Sequence, residues 1–221
     1  MVVDHGVADR DERVLWVTGG GSGMGAAAAQ AAAATGWTVV LSGRREEQLA
    51  QVAEQVRADG GAASVLPLDV QEADAILAAR DRVLAEHGRI DALVLTGVAS
   101  MVDAALPALR ESGGVVVVIS SFAGWSFQPG AGVAYSASKT ALGSLVRTLN
   151  QQEAPHGVRA THLCPGDVAS DFLEQRPEVP GAEARAVMLT PEDIGRAVEF
   201  VVNAPPYVRV DELVISPVSQ R

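Results

Sequence analysis

Tyr135 and Lys139 stand four residues apart in "GVAYSASKTALGSLVRTLN", a spacing that places both on one face of a helix. A phenol of ordinary pKa near 10 is a poor proton donor or acceptor at neutral pH. A lysine ammonium one turn away, in a partly desolvated cleft, favours the phenolate and makes the pair an acid and a base. Lowering a phenol by about three units takes roughly 4 kcal/mol of differential stabilisation. Upstream, "GGVVVVISSFAGW" ends in Ser120 and Ser121, and a hydroxyl there can bond an oxygen on which negative charge develops. A third group of residues, "VTGGGSGMGAAAA", puts glycines where a strand must turn sharply into a helix. Free N–H groups at such a helix start suit a pyrophosphate.

These groups act only if regular elements hold them. Short apolar runs alternate with longer helical patterns throughout. The strands are expected at Val14–Val17, Thr38–Ser42, Ala63–Pro67, Ala92–Leu95, Val115–Ser120, Val158–Leu163 and Glu212–Ile215. Helices are expected at about 24–35, 46–58, 72–86, 99–111, 134–153 and 191–203. This alternation predicts an α/β fold, a doubly wound parallel sheet of about seven strands with helices on both faces. Val115–Ile119 has no polar alternation, as a central strand covered on both sides requires. Ligands of such sheets bind at the carboxyl ends of the strands, where all three groups fall.

Composition narrows the function. The chain has 221 residues, 48% of them hydrophobic, enough for a sizeable core. Its formal net charge of −10 disfavours nucleic acid and anionic membranes as partners. One cysteine, Cys164, excludes an internal disulfide and a cysteine-rich metal site, so no metal is expected. No apolar run is long enough to span a bilayer. Residues 1–12 read as a flexible polar arm without signal-peptide character, and residues 13–221 as a single dinucleotide-binding catalytic domain. A cytoplasmic protein is the expectation.

Thr18-Gly19-x-x-x-Gly23-x-Gly25, together with Tyr135-x-x-x-Lys139 and the serine pair, resembles the short-chain dehydrogenase/reductase family. The resemblance spans residues 13 to 216 and implies a Rossmann-like fold and hydride transfer between nicotinamide and a carbonyl or alcohol carbon. By that likeness Tyr135 is the acid in reduction and the base in oxidation. Lys139 supports it and binds the nicotinamide ribose, and Ser121 orients the substrate oxygen. Gly19, Gly21, Ser22, Gly23, Met24 and Gly25 would hold the pyrophosphate. Asp69 and Val70, in "LPLDV", would flank the adenine. In "HLCPGDVASDF", which resembles the family's PGxVxT segment, Gly166, Val168 and Ser170 would hold the carboxamide. NAD-using members carry an acidic residue where this chain has Gly43. Arg44 and Arg45 follow, and a guanidinium grips a 2′-phosphate through two charge-assisted bonds. NADP(H) is therefore expected over NAD(H), which stays possible. A homodimer or homotetramer is expected through the helices at 134–153 and 99–111. The interval from Ser121 to Tyr135 exceeds the family's by about one residue, which implies a small bulge around Gly124–Pro129.

One part of the pattern is missing. "DALVLTGVAS" passes from the fourth strand straight into a helix, without the family's NAG-type turn or catalytic asparagine. About thirty residues are absent at Leu95/Thr96 relative to family spacing. Two explanations are open. A true deletion removes one wall of the nicotinamide pocket and leaves a weak or dead enzyme, or a nucleotide-binding or scaffold protein. Alternatively a segment goes uncounted there, Leu95 and Thr96 lie far apart, and Thr96 begins partway along a helix. The second is preferred, because excision through a buried helix start should expose apolar surface.

Overall fold

The computed structural model describes residues 13–96, 99–128, 130–175 and 178–220. The polar arm expected at 1–12 lies outside the described residues.

The elements are β1 (Val14–Thr18), α1 (Gly23–Ala33), β2 (Thr38–Gly43), α2 (Glu46–Ala58), β3 (Ala62–Pro67), α3 (Ala73–His87), β4 (Ala92–Leu95), α4 (Ala99–Ser112), β5 (Val115–Ile119), α5 (Phe122–Trp125), α6 (Val133–Gln152), β6 (Arg159–Pro165), α7 (Ala182–Arg185), α8 (Pro191–Val202) and β7 (Glu212–Ile215). The seven strands form one parallel sheet in the order β3-β2-β1-β4-β5-β6-β7. Strand order reverses between β1 and β4, and a crevice opens at the carboxyl ends there.

Successive strand residues point to opposite faces, and both faces are buried. Val14 and Trp16 join a core under α3, α4 and α6, while Leu15 and Val17 join a second core under α1, α2 and α8. This explains the unbroken apolar strands: each residue has a layer to enter. The alanine run of α1 serves close approach. A Cβ on Gly195 of α8 would lie 2.6 Å from the Ala27 carbonyl oxygen, so the two helices meet at backbone distance. The start of α8 is fixed by a capping box in which Thr190 and Asp193 satisfy each other's backbone N–H.

The structure departs from the sequence reading in identifiable places. β6 runs to Pro165, beyond the expected Leu163, because His162–Pro165 pair with Glu212–Ile215 of β7. In the stretch of the bulge expected around Gly124–Pro129, Phe122–Trp125 form the one-turn helix α5, capped by Ser121, and Pro129 lies outside the described residues. Thr96 is not partway along a helix. β4 ends at Leu95, Thr96 forms a bend, residues 97–98 lie outside the described residues, and α4 opens at Ala99. Nor does the short connection open the core at α4, where Met101, Val102, Ala104, Ala105, Ala108 and Leu109 are all buried. The exposure falls on the amino-terminal part of α6, where Val133 is 89% exposed.

Candidate active site

The turn between β1 and α1 depends on glycine at two points. Gly19 takes φ +70°, a left-handed conformation that glycine adopts freely. A Cβ on Gly25 would lie 2.3 Å from the Gly19 carbonyl oxygen, so only glycine lets α1 begin this close to the turn. Ser22 is the N-cap but makes no side-chain cap bond, and the first turn of α1 holds no acidic residue. The helix end therefore presents N–H groups and a positive dipole with no carboxylate of its own opposing an anion.

Beside this turn lies a cavity of about 290 Å³. Gly19, Gly21, Ser22, Arg44, Arg45, Asp69 and Val70 of the expected set line it, with Gly43. The Arg45 guanidinium donates to Ser22 Oγ at 3.0 Å, bridging the β2 end to the glycine turn. Asp69 also caps a local turn, its Oδ1 accepting from Gln71 N at 3.0 Å. Gly23, Met24 and Gly25 are not part of that lining and follow at the start of α1. The imagined Cβ of Gly23 is 3.9 Å from Ser170 Cβ, which brings the loop after β6 against the same turn.

Ser121 sits at the carboxyl end of β5, where its Oγ accepts from Ala123 N at 3.3 Å. Ser120 plays a different part. Its Oγ donates to the Lys139 carbonyl oxygen at 3.1 Å, and a Cβ on Gly124 would be 2.7 Å from that same oxygen. α5 thus packs tightly on α6 at Lys139. The Lys139 ammonium lies 5.7 Å from the centroid of the Tyr135 ring and donates to the Thr96 carbonyl oxygen at 3.2 Å. Burial pushes its pKa below the ordinary lysine value. Tyr135 is 36% exposed, so this end of the crevice is open.

Thr96 is the functional position that sequence reasoning missed. It lines the glycine-turn cavity and accepts from Lys139, joining the two groups of residues. Its contribution is a backbone carbonyl, which no residue type signals. The two asparagines serve elsewhere: Asn150 bridges Ala160 and Asp211, and Asn203 bonds Trp37 and Thr35. Beside the crevice, Trp125, Phe127 and Phe172 are 49%, 86% and 52% exposed, and Trp125 stacks edge-on with Phe122.

His162, Cys164 and Glu212 come together at the β6–β7 edge. Cys164 Sγ lies 3.3 and 3.5 Å from the two ring nitrogens of His162, so it sits over the ring rather than along a lone pair. Burial, with the Glu212 charge adding, pushes its thiol up to about 12. A protonated thiol packed on a ring suits core packing better than metal ligation.

A parallel sheet wound on both faces, with a glycine turn at its switch point and Tyr135 and Lys139 beyond it, defines a dinucleotide-binding α/β oxidoreductase. The short chain dehydrogenase family model matches residues 13–96 and again 94–180. The chain belongs to that family, whose enzymes act on CH–OH and C=O groups. An uncharacterized oxidoreductase of Staphylococcus aureus (strain MW2) is 30% identical over 94% of this chain and 98% of that one. Among solved structures, an alcohol dehydrogenase from the archaeon Thermococcus sibiricus, complexed with 5-hydroxy-NADP, superposes with a TM-score of 0.84. It is 27% identical, over 95% of this chain and 98% of that one. A metagenomic short-chain oxidoreductase in complex with NADP superposes with a TM-score of 0.80, also 27% identical, over 96% and 100%. The two parts of the family match meet where the turn is missing. The staphylococcal alignment spans 234 residues yet uses only 94% of a 221-residue chain, so that relative carries residues without a counterpart here. Among the described residues, no helix is long and apolar enough to cross a membrane.

Proposed function

We propose that the protein is an NADP(H)-dependent oxidoreductase acting on a small carbonyl or alcohol substrate, with Tyr135 as acid and base. The single observation that carries this reading is the Lys139–Thr96 bond, which joins the Tyr135–Lys139 pair to the wall of the glycine-turn cavity. A nicotinamide cofactor, when bound, supplies or accepts the hydride. The residues present fit it: the uncapped start of α1 suits the pyrophosphate, and Asp69 with Val70 suits the adenine end.

Arg44 is the proposed partner of the 2′-phosphate, with Arg45 braced on Ser22 beside it. Gly43 leaves no carboxylate to bind the ribose hydroxyls or to repel a phosphate. Structural relatives carry NADP-type ligands in two cases and NADH or NAD in two others, so the proposed preference rests on Gly43 and Arg44. At the other end Ser121 orients the substrate oxygen, and Tyr135 moves the proton to or from it. Lys139 keeps a positive charge beside the phenol. Of the N–H groups from Gly166 to Ser170, that of Val168 alone has no protein partner among the described residues. It and the Ser170 hydroxyl are the proposed hold on the carboxamide. We further propose a homo-oligomer in which the exposed start of α6 is covered by a second copy.

The short connection at residues 96–98 favours a second reading, a nucleotide-binding protein without turnover, since one pocket wall is reduced to a bend. NADPH and NADH titration, followed by a carbonyl-substrate screen, separates the two. Tighter NADPH binding with turnover supports the oxidoreductase. Binding without turnover of any carbonyl supports the second reading, and no binding of either nucleotide overturns both.

A further inference from the structure

The loop after β6 is held from behind by residues 217–220, and this support rests mainly on one side chain. Gly166 N donates to the Ile215 carbonyl oxygen at 2.7 Å, and Asp167 N donates to Gln220 Oε1 at 2.9 Å. A Cβ on Gly166 would lie 2.1 Å from that same Oε1 and 3.0 Å from Pro217 Cδ. The Gln220 carboxamide is thus seated directly against the backbone of the turn. A bond from Gln220 N to the Pro217 carbonyl oxygen, 3.0 Å, closes the segment and fixes where its side chain begins. Ser219 Oγ donates to the Val187 carbonyl oxygen at 3.0 Å, in the turn leading to Leu189. Leu189 in turn exchanges bonds with the loop, accepting from Ala169 N at 2.7 Å and donating to the Asp167 carbonyl oxygen at 2.9 Å. Residues 217–220 therefore brace both the loop and its neighbour.

The opposite side of the loop faces the glycine turn, where Ser170 Cβ approaches Gly23. Between brace and turn lies Val168, with its unpaired N–H. We infer that Gln220 is a positioning residue for the nicotinamide end of the site: it sets where the Val168 N–H and Ser170 hydroxyl stand, without touching the ligand. This inference rests on the proposed nicotinamide role of the loop. Hydride transfer tolerates little misplacement, and a displacement of about 1 Å can cost a hundredfold in rate. Loss of the brace therefore acts more on turnover than on binding, and more on the nicotinamide than on the adenosine end.

The test uses Gln220→Ala and Gln220→Glu in the full chain, the second retaining an acceptor oxygen of equal reach. Binding of NADPH and of 2′,5′-ADP, which lacks the nicotinamide, is measured by calorimetry, and kcat with a substrate found in the carbonyl screen. Gln220→Ala is expected to weaken NADPH about fivefold, leave 2′,5′-ADP within twofold, and lower kcat about tenfold. Gln220→Glu is expected to recover most of both losses. Equal weakening of NADPH and 2′,5′-ADP, or no change in either, overturns the inference while wild-type binding leaves the functional reading standing. Wild-type protein that binds neither ligand overturns the functional reading and the inference with it.

Discussion

Around β1, β2 and β3 the crevice forms a cavity walled by Gly19, Gly21 and Ser22 of the turn and by Arg44 and Asp69, beside the start of α1. At the ends of β4, β5 and β6 the proposed chemistry rests on side chains of α6 and after β5, and the cover is thin. Val133 and Phe127 are 89% and 86% exposed, and residues 96–98 are all that stands between β4 and α4. The contrast teaches that nucleotide binding and turnover can be lost separately in this chain. The first depends on close backbone approach, which a shortened crossover elsewhere leaves untouched. The second depends on how well a lysine and a tyrosine are held in an open cleft.

Protein of verified mass is the starting point, because a mass matching 221 residues makes the short connection native. A mass larger by about thirty residues would restore the family spacing and dissolve the contrast. The largest functional effect is expected at the open end. Tyr135→Phe should lower turnover by about 10³-fold or more, the scale of a lost acid–base group, while NADPH affinity stays within several-fold. Normal turnover in that variant would remove the phenol from the mechanism. At the walled end, Arg44→Asp should cut the preference for NADPH over NADH by about 10²-fold, since a paired phosphate contact becomes a repulsive one. An unchanged ratio in calorimetric titrations would move that role to Arg45 or abolish it.

What the sequence disclosed follows the same division. Val14–Val17 and Val115–Ile119 were readable as strands because every residue in them enters a core, and Gly25 because its role is steric. The Tyr135–Lys139 pair was readable because helical spacing alone places it. Thr96 was not, since it acts through a carbonyl that any residue carries, and its partner Lys139 is distant in the chain. Gln220 was hidden for a related reason: its contact with Asp167 depends on how the chain returns after β7. The turn α5 escaped because four residues are too few to show a period.

Smaller effects concern stability. Glu153, buried beside α4, accepts two bonds from the Arg110 guanidinium, at 2.7 and 2.8 Å, which hold its carboxyl below the ordinary value. A carboxylate of lowered folded pKa adds stability above its unfolded pKa and loses it as pH falls through the folded one. Glu153→Gln should lower Tm by a few degrees at neutral pH, with the difference from wild type shrinking in acid. A constant difference down to pH 3 would assign the loss to packing. Lys139 gives the same sign in an alkaline window, from burial rather than pairing. Because its folded pKa is lowered by burial, the unfolded chain binds more protons between that value and about 10.5. Stability contributed by this group therefore rises with pH across that window. Lys139→Met should flatten the rise slightly in denaturant titrations, although it ends turnover. A variant as pH-dependent as wild type would show the ammonium to be fully hydrated.

The short connection after β4 also bears on how the chain first finds its topology. Ala92 pairs with Val115, and Leu95 with Val118, across a crossover little longer than those that join β1 to β2 and β2 to β3. Loop closure depends only weakly on length, each doubling costing about 0.6 kcal/mol, but non-local pairing slows folding more than it weakens the fold. The first five strands are thus linked by crossovers of similar reach, and the long passages are β5–β6, which must carry α5 and α6, and β6–β7, which must carry α7 and α8. The β1–β2, β2–β3 and β4–β5 pairings close over short stretches of chain, whereas β1–β4 joins residues as distant as Leu15 and Ala92. The helix that carries Tyr135 and Lys139 lies in one of the long passages, so its place at the crevice depends on the pairing of β5 with β6.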